Sequence, residues 1–265
     1  MERRQVRAAI VLLALLLVPI PLRAAIDPAT FQSLSFHQHP GAQLPLDAQL
    51  TDASGRPSSL GAALAARPAV VVLEYLRCKN LCSLVLSGAA QAMAAAALRP
   101  GQDVDLIAIS IDPRDTARDA AAAQAMYARR FPDPEAAATG VRFFTGSPDE
   151  VRKIASAIGF PYRYDKASDQ FAHPAGFVVT TPDGRISRYM LGLSPQPAVL
   201  RSAVSEAARE KVEPPAHPLL CLCFGYDPDE GSVAALTLRL VRYVSIGLVL
   251  ALLLFVAGLA RRRRA

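Results

Sequence analysis

The sequence predicts an α/β domain, a mixed central sheet flanked by helices, with a C-terminal transmembrane helix behind it. Two runs rich in valine or isoleucine, Ala69 to Leu76 and Val104 to Ile111, read as strands covered on both faces. Each leads into a stretch of helical character, the alternation that builds parallel strand pairs. Gly176 to Thr181 and Arg185 to Met190 flank Pro182-Asp183-Gly184 and read as an antiparallel hairpin, so the sheet is mixed.

The elements follow in order. Leu44 to Leu60 alternates around Asp52-Ala53-Ser54-Gly55, a hairpin signal. After the first buried strand, Cys78 to Leu98 is helix-like, and Arg99-Pro100-Gly101 ends it. After the second, Asp115-Thr116 can cap a helix running to about Arg130. Phe131 to Gly140 is broken by prolines and glycine and reads as loop. Val141 to Phe144 is a short strand. Ser147-Pro148-Asp149-Glu150 then opens a helix with a serine cap, proline at the first position and acids in the first turn. Gly159 stops that helix. A last helix spans about Gln196 to Lys211.

The two ends carry the excess of apolar residues in a chain that is 52% hydrophobic. Residues 1–25 combine Arg3 and Arg4, an apolar run from Ala8 to Ile20, and small residues at Ala24-Ala25, the layout of a secretory signal peptide. Tyr243 to Ala260 is uncharged and is followed by Arg261 to Arg264. As a helix it covers about 27 Å, close to the hydrocarbon thickness of about 30 Å. The arginines then stay cytoplasmic. The expected organisation is signal peptide 1–25, linker 26–43, folded domain 44–212, juxtamembrane segment 213–238, transmembrane helix 239–261 and cytoplasmic tail 262–265. This places a single-pass protein in the inner membrane with its domain in the periplasm. Residues 24–238 hold 19 Lys and Arg against 22 Asp and Glu. The net charge of +6 therefore belongs to the targeting ends, and nothing in the domain asks for nucleic acid.

Four cysteines, Cys78, Cys82, Cys221 and Cys223, stand in two close pairs. A staple between such near neighbours would restrict the unfolded chain little, so the pairs read as redox or metal sites. Cys78-Lys79-Asn80-Leu81-Cys82 follows a buried strand and opens a helix, where the helix N-terminus favours the thiolate. Spacing i,i+4 puts both sulfurs on one helical face, with Cα atoms about 6 Å apart and within disulfide reach. Two soft sulfurs suit Cu(I) or zinc and want a third ligand. His173, in Phe171-Ala172-His173-Pro174 just before the hairpin, is the candidate. It completes a Cys2His set whose softness fits copper in either oxidation state. Thioredoxin-like oxidoreductases place two residues between their cysteines, where this chain has three. The approach Leu73-Glu74-Tyr75-Leu76-Arg77 lacks the proline and threonine of a peroxiredoxin.

The residues that carry a resemblance are Val72 to Cys82, then Ile109-Ser110-Ile111-Asp112-Pro113-Arg114-Asp115-Thr116, and His173 about ninety residues beyond the pair. Phe144-Thr145-Gly146 and Ile158-Gly159-Phe160 add to it. Over roughly residues 43–205 the sequence resembles the Sco/SenC family of copper-binding oxidase assembly proteins. The resemblance implies a thioredoxin-like fold, a copper ion on Cys78, Cys82 and His173, and a role in maturing the copper A site of cytochrome c oxidase. That role is copper transfer, reduction of the client's cysteines by Cys78 and Cys82 as a redox pair, or both. The copper-bearing oxidase subunit is the implied client. Arg77 and Ser83 stand where family members usually carry a proline beside the cysteine pair. The tail Leu220 to Pro228 resembles a subfamily with a C-terminal anchor. Pro174 stands near where many thioredoxin-like domains carry a cis proline.

A thiol–disulfide oxidoreductase with no metal of its own is the alternative, and it needs both cysteines but not His173. Asp112 and Asp115 are expected in turn and cap roles rather than as a catalytic carboxylate pair. His37 and His39 are expected on an exposed arm, because no further ligand lies nearby. Cys221 and Cys223 stay open between a second copper-handling pair, a resolving thiol pair and a membrane-proximal packing element.

Overall fold

The computed structural model describes residues 35–64, 67–76, 82–166, 169–215, 243–245 and 247. The expected signal peptide, Cys78, Cys221, Cys223 and nearly all of the expected membrane span lie outside the described residues. Among the described residues no helix is long and apolar enough to cross a membrane.

Nine strands and six helices alternate along the described chain. In order they are β1 (Gln49–Asp52), β2 (Pro57–Ser59), α1 (Leu60–Leu64), β3 (Ala69–Glu74), α2 (Cys82–Ala95), β4 (Asp105–Ser110) and α3 (Ala117–Ala128). Then come α4 (Pro134–Ala137), β5 (Val141–Gly146), α5 (Pro148–Ile158), β6 (Arg163–Asp165), β7 (Gln170–Ala172), β8 (Gly176–Thr180), β9 (Ile186–Leu191) and α6 (Pro197–Ala208). Seven strands form one sheet in the order β2-β1-β5-β4-β3-β8-β9. The centre, β3-β4-β5, is parallel. Antiparallel pairs close it on both sides, so the sheet is mixed as expected.

Every residue of β3 and β4 is buried, which is why neither run alternates in polarity. Val70, Val72, Leu106 and Phe143 point to one face, where α2, α3 and α6 bring Leu86, Tyr127 and Leu200. Val71, Leu73, Ile107 and Ile109 point to the other, under Leu60 and Leu64 of α1 and Ile154 and Ile158 of α5.

The turn signals act as expected except at Asp115, whose cap role is corrected. Thr116, rather than Asp115, caps α3 in a reciprocal box with Asp119. Ser147 caps α5, and Gly159 ends it with φ 67°. A side chain there would meet the His37 carbonyl, so glycine answers both the left-handed backbone and the close approach.

In the β1–β2 turn the Asp52 carboxylate accepts from the Ser54 amide and hydroxyl and from the Arg56 amide. The Ser54 hydroxyl is the main cause that draws its pKa down to about 2. A carboxyl lowered on folding stabilises the fold above its usual value of 3.8, and that contribution is lost as pH falls from there toward about 2. A carbon-13 titration is expected to find the Asp52 midpoint at about 2, and Asp52→Asn is expected to remove this part of the acid sensitivity.

Three further expectations are corrected. Residues 131–140 are not all loop: Asp133 accepts from the Ala136 amide and Pro134 takes the first helical position, so α4 forms. Residues 35–43, expected as linker, pack on the domain. The Gly41 amide donates to Ile186, the Ile186 amide donates to Ala42, and Phe36 meets the rings of Phe160 and Tyr189 edge-on. The peptide bond before Pro174 is trans. The β6–β7 hairpin was not expected, because three-residue strands with exposed or half-buried residues leave no period to read.

Candidate metal site

His173 stands on the link between β7 and β8. Its Nδ1 lies 2.9 Å from the Pro174 carbonyl oxygen. A carbonyl oxygen only accepts, so Nδ1 carries the proton and the ring's lone pair sits on Nε2. The ring stacks on Phe160, with centroids 5.4 Å apart, and meets the Tyr75 ring edge-on at 6.1 Å. Burial holds its pKa below the ordinary imidazole value, against the opposite pull of the Pro174 carbonyl. The outcome is a neutral imidazole of fixed tautomer, the form that ligates metals.

The sheet brings that imidazole beside the exit of β3. β3 and β8 run antiparallel, with Ala69 opposite Thr180 and Val71 opposite Val178. Continued, this register sets Tyr75 opposite Pro174 and Leu76 opposite His173. The Tyr75–His173 ring contact shows the two arms still side by side beyond the ladder. Cys78 follows two residues after Leu76 but lies outside the described residues. Cys82 is the first residue of α2, described by its backbone. Among the described residues no three His, Cys, Asp or Glu side chains gather to hold a metal ion.

The segment Ser110 to Thr116 forms the floor of this region. Asp112 takes a turn role: its carboxylate accepts from the Arg114 amide and, in bidentate fashion, from the Arg114 guanidinium at 2.7–3.0 Å. That fork offsets the carboxylate's charge and fits the turn role. Asp115 does not cap α3. Its Oδ2 accepts from the Leu76 amide at 2.7 Å and from the Ser110 hydroxyl at 2.6 Å, and so fixes the exit of β3. Arg114 also reaches the β6–β7 turn, where its Nη1 donates to Asp169 at 2.6 Å. Sequence reasoning missed Asp169 and Tyr164, since partners 55 residues apart leave no local signal. His37 and His39 are exposed, as expected. The His39 amide donates to the Tyr189 hydroxyl, and His37 lies beside Gly159.

Residues 38–209 match the model of the family described as SCO1/SenC, which is more than half of the 265 residues. The chain belongs to the SCO1/SenC family. The match begins at Gln38, inside the arm that packs on the domain, and ends just after α6. Among solved structures, the SCO1/SenC chain is similar to a protein of Aquifex aeolicus VF5 provisionally described as an electron transport protein. Identity is 25%, the match covers 64% of this chain and 98% of that one, and the TM-score is 0.51. It is similar to a SCO1/SenC family lipoprotein of Bacillus anthracis, at 18% identity, 66% and 98% coverage and a TM-score of 0.51. It is also similar to Arabidopsis thaliana ScoI, a structure with copper bound, at 20% identity, 65% and 98% coverage and a TM-score of 0.49. Comparison with curated proteins gave no match. The mixed sheet with helices on both faces is the thioredoxin-like fold of the family.

Proposed function

We propose that this chain is a copper-binding assembly factor for a cytochrome c oxidase, with Cys78, Cys82 and His173 holding one copper ion. The observation that carries the reading is the imidazole of His173, neutral and of one tautomer, set beside the strand exit that leads into Cys78. Family membership supports it, because the SCO1/SenC resemblance implies copper on these positions and the copper A subunit as client. The donor set fits: two thiolates and a neutral imidazole suit copper in either oxidation state.

The same two thiols serve electron transfer. As a client disulfide is reduced to two thiols, a disulfide forms between Cys78 and Cys82, and two electrons and two protons pass to the client. Forming that bond removes both sulfur ligands, so copper loading is gated by redox state. The signal-peptide layout of residues 1–25 and the apolar run before Arg261 support a periplasmic domain held to the inner membrane by helix 239–261.

The reduced full chain is expected to bind one copper ion, and Cys78→Ser is expected to abolish that stoichiometric binding, read by metal analysis after desalting. No copper in the unaltered chain, together with turnover on a disulfide substrate, would replace this reading with a thiol–disulfide oxidoreductase that has no metal of its own.

A further inference from the structure

The two arms of the site belong to different parts of the chain. One is the exit of β3, which Asp115 holds through the Leu76 amide. The other is the β6–β7 hairpin and its link to β8, which carries His173. Arg114 spans the two. Its Nε and Nη2 grip the fully buried Asp112 carboxylate, inside the same loop as Asp115. Its Nη1 grips Asp169 on the hairpin turn at 2.6 Å. The Tyr164 hydroxyl donates to the same Asp169 oxygen at 2.6 Å, and the guanidinium lies 5.4 Å from the Tyr164 ring centroid.

From there the contacts run inward through rings. Tyr164 meets Phe171 at 5.2 Å, Phe171 meets Tyr75 at 5.5 Å, and Tyr75 meets His173 at 6.1 Å. A single exposed ion pair contributes little. This one differs, because a planar fork is clamped by a buried carboxylate on one side and reaches out with a fixed direction on the other.

We infer that Arg114 is a positioning residue: it ties the hairpin that carries His173 to the loop that fixes the cysteine arm, and so holds the imidazole where a metal on the two thiols can meet it. Arg114 is placed to act through the hairpin, by its Nη1 contact to Asp169. The inference rests on the copper reading proposed above.

The test uses the reduced full chain in detergent, titrated with copper against a competing chelator, in a double-mutant cycle with His173→Ala. Loss of an outer-shell partner costs about 10–100-fold in metal affinity, and Arg114→Ala is expected to show a loss in that range. Asp169→Asn is expected to weaken binding in the same direction. Arg114→Lys, which keeps the charge without the fork, is expected to recover part of the loss. In the His173→Ala background Arg114→Ala is expected to be silent, because its action passes through the imidazole. The nitrogen hyperfine structure in the copper(II) spin-resonance spectrum is expected to weaken in Arg114→Ala and also in Asp169→Asn, which leaves the buried Asp112–Arg114 pair in place and keeps its thermal midpoint near that of the unaltered chain. An unchanged affinity in Arg114→Ala overturns the inference, and so does an equal loss with and without His173. If the unaltered chain binds no copper, the copper reading falls and this role falls with it.

Discussion

With His173 as the proposed third ligand, replacing it with alanine is expected to weaken copper binding by roughly 100-fold or more, since a ligand is worth more than the outer-shell groups that tune it. The fold is expected to survive. The lost ring contacts, to Phe160 and Tyr75, are worth about 0.5–1.5 kcal/mol each against a domain total of about 5–15 kcal/mol. Two thiolates alone leave the metal with an incomplete set, so the variant is expected to lose copper to a chelator that the unaltered chain resists. Acid gives a second signature. Burial lowers the His173 pKa in the folded chain, so the unfolded chain takes up a proton first as pH falls through 6.5. Stability from this group is therefore complete above 6.5 and lost progressively below it. His173→Ala is expected to remove that loss, seen as a flatter dependence of the denaturation midpoint on pH. Proton competition for Nε2 is likewise displaced to lower pH, so copper retention is expected to persist below 6.5 in the unaltered chain.

Asp105→Ala is expected to cost about 3–5 kcal/mol of stability and to leave copper affinity unchanged. Asp105 opens β4 with no exposed side-chain surface, and its carboxylate accepts from Arg67 at 3.4 Å and from Arg142 at 2.7 Å. Burial pushes the carboxyl up from its usual range, and the guanidinium of Arg142, then that of Arg67, pulls it back part-way. The Nε atoms of both arginines are buried without a hydrogen-bond partner among the described residues. Removing the carboxylate leaves two cations crowded at one end of the sheet with nothing between them. A cost of that size lowers the thermal midpoint of a domain this large by about 6–20 °C. The cluster sits where β3, β4 and β5 begin, while His173 adjoins the end of β3. Calorimetry and chelator competition on the same variant therefore separate stability from binding.

The parts of the fold that could be read in advance are those with local causes. Ser147-Pro148 and Gly159 bracket α5 because a cap, a first-turn proline and a left-handed stop act within one turn of the chain. The runs at Ala69 and Val104 announce buried strands because both of their faces meet helices. What escaped was held by partners far away. The β6–β7 hairpin has three-residue strands, and its turn is tied to Arg114, 55 residues earlier in the chain. The role of Asp115 escaped for the same reason. From sequence it looks like a cap beside Thr116, yet its partner is the amide of Leu76, 39 residues away.

The sequence alone determined the donor types and their spacing: Cys78 and Cys82 four apart, and a histidine just ahead of the closing hairpin. It also determined the strand and helix order that leads to a mixed sheet, because periodicity and caps are properties of neighbouring residues. Tertiary structure alone decided the state of His173. Which nitrogen holds the proton depends on the Pro174 carbonyl, and whether the ring is neutral depends on its burial between Phe160 and Tyr75. It also decided which groups brace the site, since the Asp112–Arg114–Asp169 span exists only once β3, β4 and the β6–β7 hairpin have come together. Side-chain identity is written in the chain, but tautomer, burial and long-range ion pairing are set by what the fold places alongside.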